Sequence, residues 1–161
     1  MPTQMLSGGV RAHAIRFGPG EDLTDGLLDA AKNAMNSSNT TSAFVLSSVG
    51  SLEYVKLRMA SASRTDNDDD NGRITRDANE MREWNERLEI VSLIGTFSNA
   101  GRHLHMSVSD AKGNVSGGHF VAGKVFTTLE LVIGTIDGVE FDRENDPKTG
   151  YKELTIKEVK R

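Results

Sequence analysis

The chain has no cysteine and only three prolines among 161 residues. The first absence excludes disulfides and thiolate metal sites, so any bound metal must be held by imidazole or oxygen ligands. Aromatic residues make up 6% of the chain and no apolar run approaches the roughly 20 residues of a membrane span. The first ten residues, MPTQMLSGGV, lack the basic and apolar regions of a secretion signal, so a soluble intracellular protein is expected. An excess of positive charge is also missing. The net charge is −4, which makes the whole chain a poor ligand for DNA, because nonspecific affinity comes from Lys and Arg displacing counterions at phosphates. Arg82, Arg87, Arg102 and Lys124 would form a basic patch only if the fold brought them together, and their spacing does not require it.

What the chain does have is a series of short β-branched runs, FVLSSV, LEIVSLIGTF and LELVIGTI, each of strand length and bounded by Gly, Asn or Asp. A length of 161 residues suits one domain, 1–161, around one core. One segment has helical spacing: Leu23, Leu27, Leu28, Ala31 and Met35 follow the turn GPG and the acidic pair Glu21 and Asp22, which favour a helix N-terminus. The balance predicts an α+β fold rich in strands. Arg11–Phe17 alternates as a first strand; Ala43–Val49 and the segment from Leu52 read as a hairpin broken at Gly50 and Ser51. Residues 61–80 are acidic, polar and almost free of apolar side chains, and read as a flexible surface loop. Within it, Asn67, Asp69, Asn71 and Gly72 match part of a calcium-loop register, but Asn67 opens it and Ala78 stands where a bidentate Glu belongs, so a solvated loop is the better reading. MREWNERLEI is expected to open with a helical turn, with Trp84 and Met81 capping the core or a subunit contact. Leu88–Phe97 reads as a central strand in which Gly95 marks a bulge or close approach. Hairpin turns are expected at SDAKGNV and IDGV, and a longer loop around Pro147 and Gly150 precedes a last strand.

Three of the four histidines fall in GRHLHMSVSDAKGNVSGGH. On a strand, residues i and i+2 share a face about 6 to 7 Å apart, so His103 and His105 point together while Leu104, Met106 and Val108 fill the core side. If 110–114 is a five-residue hairpin loop, Ser109 pairs with Val115 and His105 with His119, and directly paired side chains project to the same face. Three imidazoles in one cluster suit zinc or another borderline divalent ion and leave a coordination position for water, substrate or a residue of another subunit. A polar, partly buried histidine cluster is the competing explanation. Gly117 and Gly118 would keep the approach to His119 uncrowded. Asp110, Glu89 and Glu130 are the nearby acids, and His13, alone in the first strand, reads as structural. No GxxxxGK[ST] phosphate loop, dinucleotide fingerprint or GxSxG elbow is present.

The order RFGPGEDLTDGLLDAA, SAFVLSSVGSLEYVKLRM, RLEIVSLIGTFS and the block from GRHLH to ELTI resembles the PPC domain of plants and prokaryotes over nearly the whole chain. The resemblance implies a bent, largely antiparallel sheet carrying helices and assembly as trimers through sheet surfaces. In prokaryotic-type members the HLH and GGH histidines form a metal site read as zinc, which implies His103, His105 and His119 as ligands here. Plant members carry a basic AT-hook before the domain; this chain has only NGRIT in the acidic segment. The plant segment RFEIL is matched by RLEIV, which makes Arg87 and Glu89 candidates for an interaction surface, with a structural ion pair as the alternative reading.

Two functions follow. The first is a metal-binding trimeric module, DNA-binding or associated with chromatin and transcription, that acts mainly through protein assembly. The second is a metal-dependent enzyme using metal-bound water at the three-His site on a small substrate. A cleft lined by the histidines with an open position and an acid within reach favours the second; a fourth protein ligand favours the first.

Overall fold

Alternating apolar runs dominate the chain, and the computed structural model, which describes residues 5–60, 63–64, 74–75 and 80–159, turns them into strands. β1 (Val10–Phe17) leads into α1 (Leu23–Ser38), the one α-helix among the described residues. Its start is fixed by Asp22, whose carboxylate accepts a hydrogen bond from the Thr24 backbone N–H at 2.6 Å. It ends at Asn39 in the left-handed conformation. Leu23, Leu27, Ala31, Ala34 and Met35 form its buried stripe.

The strands that follow are β2 (Ala43–Arg58), β3 (Ser63–Arg64), β4 (Ile74–Thr75), β5 (Met81–Trp84), β6 (Leu88–Ser98), β7 (Gly101–Ser109), β8 (Val115–Ile136), β9 (Val139–Asn145) and β10 (Lys152–Glu158). All their pairings are antiparallel. The main sheet runs β1-β8-β7-β6-β2-β5, and β2 also pairs with β8. The sheet therefore bends back on itself, with β8, β7, β6 and β2 in a closed ring. This is the mostly antiparallel, one-helix α+β architecture expected. Leu23 and Leu27 of the helix join Leu52, Leu57, Phe97, Leu104, Phe120 and Leu129 in one core.

Two local expectations are corrected. Residues 43–58 are one strand, not a hairpin: the register against β8 shifts between Gly50 and Leu52, so the chain bends there through a bulge and continues in the same direction. Met81–Trp84 is strand, not a helical turn, because Trp84 pairs with Val55 and packs against the core. Gly95 behaves as expected: with φ +142°, a Cβ there would stand 2.0 Å from the His103 carbonyl oxygen, so β6 and β7 can approach only with glycine at this position. The expected loop at 61–80 and its calcium-like register lie, apart from β3, β4 and Glu80, outside the described residues.

Past the main sheet, the turn Asp137–Gly138 sends the chain into the β9–β10 hairpin, whose β9 lies against β6. Arg143 of β9 donates from Nη2 to Thr96 Oγ1 of β6 at 2.8 Å.

Candidate metal centre

Leu104, Met106 and Val108 are each about 1% exposed, so the alternation of β7 turns His103, His105 and Ser107 to its other face. The next step is set by the turn. The Asp110 carboxylate accepts from the backbone N–H groups of Lys112 (2.8 Å) and Asn114 (2.9 Å) and from Asn114 Nδ2 (2.8 Å). Those hydrogen bonds, the Asn114 side chain first, hold its pKa below the usual value. With the loop closed in this way, Ser109 pairs with Val115 and His105 with His119.

Three rings converge. Their centroids lie 5.1 Å (His103–His105), 5.2 Å (His103–His119) and 5.7 Å (His105–His119) apart. One ligand nitrogen from each falls within 4.8 Å of the others. Nε2 of His103 and Nε2 of His105 are 3.2 Å apart. Two nitrogens bound about 2.05 Å from one tetrahedral ion stand about 3.3 Å apart, so this pair already has the separation that a zinc ion needs. His119 Nδ1 is buried with no hydrogen-bond partner, an unfavourable state for a buried polar atom that a ligand relieves. The donor set therefore fits a divalent ion of the zinc type.

The electrostatics agree. Burial, followed by the charge of Arg58, pushes His119 down to about 4. Burial and then Arg143 lower His103. Both shifts favour the neutral form that binds metal. Among the described residues the cluster has these three members and no fourth His or carboxylate.

The histidines line a cavity of about 650 Å³. Arg58 reaches it from the end of β2, where it pairs with His119; Arg102 borders it from β7; Arg143, Tyr151, Lys152 and Glu153 come from the C-terminal hairpin. None of the acids near the histidines in sequence lines it. Asp110 is held by its turn, while Glu89 pairs across to Ser51 and Ser109 and Glu130 to Arg16 and Val49. Glu153 is the carboxylate in the cavity. Arg58, Arg143 and Glu153 escaped the sequence reading because they join the histidines only through the β2–β8 register and the fold-over of the last hairpin. Gly118 does more than leave room: a Cβ there would sit 2.7 Å from the Arg58 carbonyl oxygen, so its absence brings β8 and β2 together beside His119.

The remaining candidates lie elsewhere. His13 Nε2 is 3.0 Å from Ser38 Oγ and 3.4 Å from Thr135 Oγ1, tying β1 to the helix end and β8. Arg87 and Glu89 are both exposed; no ion pair among the described residues joins them, and the Arg87 guanidinium lies 4.8 Å from the Phe126 ring centroid. The four dispersed cations are engaged separately. Arg82 pairs with Glu80 and Lys124 with Glu53, each at 2.7 Å, and Arg102 donates to the main-chain carbonyls of Thr24 and Val121.

Among curated proteins, the chain is 36% identical over 159 residues to the bifunctional protein GlmU of two Synechococcus strains, covering 98% of this chain and 22% of each relative. It thus spans about a fifth of their length. Among solved structures, a hypothetical protein from Salmonella cholerae-suis superposes with a TM-score of 0.78 at 30% identity, covering 96% of this chain and 99% of that one. A plant- and prokaryote-conserved (PPC) protein from Pyrococcus horikoshii superposes with a TM-score of 0.62 at 25% identity over the full length of both chains. The model of the Plants and Prokaryotes Conserved (PCC) domain matches residues 6–137, the span from before β1 to the end of β8 that includes all three converging histidines. The chain therefore belongs to the Plants and Prokaryotes Conserved domain family.

Proposed function

We propose that this protein is a self-assembling metal-binding module in which His103, His105 and His119 hold a divalent ion, zinc by its donor set, and expose it to a ligand cavity. The observation that carries this reading is the convergence of three imidazole nitrogens within 4.8 Å at the wall of the 650 Å³ cavity. A bound zinc ion would supply Lewis acidity to whatever oxygen or nitrogen atom entered the remaining position.

Assembly is supported by the outer face of the sheet. Leu46, Val49, Val91 and Ile94 are 48 to 60% exposed. The β2–β6 pairing brackets them, Ala43 with Phe97 at one end and Ser51 with Glu89 at the other, so these four side chains lie on neighbouring strands. A contiguous apolar patch of this kind suits a protein contact. We assign it to a second and third copy of the chain in a homotrimer, with Arg87 and Glu89 at its margin as contacts for protein partners. Association with DNA, chromatin or transcription then runs through those partners. The acidic chain and the separately engaged cations give direct binding no support.

A second reading, a metal-dependent enzyme acting on a small substrate, is favoured by the histidine-lined cavity, by a cluster with no fourth His or carboxylate among the described residues, and by an acid within the cavity. Glu153 lines the same cavity as the histidines, where a carboxylate is placed to accept or return a proton. Turnover lost in Glu153→Gln with metal content unchanged would support this reading; ligand binding with no turnover of any small-molecule panel would support the module. Elemental analysis of the purified protein and of its histidine variants tests the metal centre common to both.

A further inference from the structure

Four cationic side chains, Arg58, Arg102, Arg143 and Lys152, line the histidine cavity against one carboxylate, Glu153, in a chain of net charge −4. Arg102 is already satisfied by main-chain carbonyls and lies over the Phe120 ring. Arg58 and Arg143 are not so occupied. The ion pairs of the described residues join Lys56 to Glu83, Arg82 to Glu80, Lys124 to Glu53, and Lys157 to Asp142 and Glu144. Neither arginine of the cavity takes part.

Arg143 is aimed by one good hydrogen bond, Nη2 to Thr96 Oγ1 at 2.8 Å, and one long contact, Nη1 to the Lys152 carbonyl at 3.5 Å. Its Nε is buried and donates to nothing. Arg58 lies 5.7 Å from the centroid of the Tyr151 ring, so an aromatic face flanks its guanidinium. Thr96 pairs with His103, and Arg58 with His119. The two guanidinium groups thus stand on either side of the imidazole cluster. Glu153 acts on Arg143 electrostatically but forms a direct ion pair with neither arginine, so the cavity keeps an excess of positive charge that is unfavourable unless a ligand supplies negative charge, and a metal ion among neutral imidazoles adds to the excess.

We propose that the cavity receives a small molecule bearing a carboxylate or phosphate group, which Arg58 and Arg143 grip while its other end reaches the three histidines. The planar guanidinium fork matches both anions, which share planar or tripodal oxygen acceptors. Arg143 lies in β9, beyond the family-matched residues 6–137, so the ligand class depends on the C-terminal hairpin as well as on the family domain. The placement of the ligand's far end rests on the metal-centre reading; the anion grip does not.

The test is calorimetric titration of the full chain, metal-loaded and chelator-treated, with succinate, methyl phosphate and the neutral succinamide at constant ionic strength, alongside Arg58→Gln, Arg143→Gln and the charge-conserving Arg143→Lys. Metal content is measured in each sample. Saturable binding of one anion, weakened about tenfold or more in both glutamine variants and less in Arg143→Lys, with no binding of succinamide, is expected. Which anion binds separates the carboxylate from the phosphate source. No anion binding by a metal-holding parent would overturn the proposal and leave the metal centre standing. Equal binding of succinamide, or undiminished binding by both folded glutamine variants, would also overturn it. Arginine-dependent anion binding by a protein that takes up no metal would support it while contradicting the metal centre.

Discussion

His105 and His119, fourteen residues apart in sequence, face each other directly across the β7–β8 ladder, and Asp110 sets that register from the turn between them. The Asp110 carboxylate is the acceptor for three donors within five residues, so the loop length is held by hydrogen bonds as well as by Gly113.

Removing that carboxylate should loosen the turn and blur the pairing of the two histidines. Asp110→Ala is expected to weaken metal uptake several-fold while keeping the fold, because the core beneath β7 is untouched. Circular dichroism and a competitive metal titration check this; unchanged affinity would separate the turn from the site.

Packing behind the histidines should matter more to stability. Leu104 lies between His103 and His105 on the buried face and is 1% exposed. Leu104→Ala is expected to cost about 2–5 kcal/mol by lost burial and cavity formation. Denaturant unfolding measures it, and a cost well under 1 kcal/mol would mean that β7 is not anchored as described.

The site's pH response has a definite sign. His119 sits at about 4 in the folded protein, below the ordinary imidazole value near 6.5, and His103 is lowered too. The unfolded chain therefore binds more protons as pH falls through about 6.5, and the His119 contribution to the stability of the metal-free protein is lost from there down to about 4. His119→Gln should flatten that fall in melting temperature. Between pH 8 and 6 His119 itself need shed no proton to bind metal.

The apolar face predicts an assembly phenotype. Val49→Asp or Val91→Asp, which places a charge in the patch shared by β2 and β6, should reduce the particle to a monomer in analytical ultracentrifugation. A parent that is already monomeric, or variants of unchanged mass, would remove the patch from the interface.

Much of this was legible from local pattern. The helix at Leu23–Ser38 followed from 3.6-residue periodicity and an acidic cap, and the His105–His119 pairing from a loop length of five. These are properties of adjacent residues. The continuous β2 was not legible, because Gly50 and Ser51 carry the composition of a turn while the pairing with β8 carries the strand through a bulge. The helical turn expected at the start of MREWNERLEI fails for a similar reason: Trp84 is drawn into a strand by pairing with Val55. The cavity's arginines were hidden more deeply. Arg58 and Arg143 lie 85 residues apart and meet the histidines only once β2 pairs with β8 and the last hairpin folds over Thr96.

The central claim is that three imidazoles form one metal centre, and elemental analysis of the purified protein beside a His103→Ala, His105→Ala double variant tests it most directly. About one divalent ion per chain in the parent and almost none in the variant is the predicted result. Equal metal content in the two proteins would contradict it.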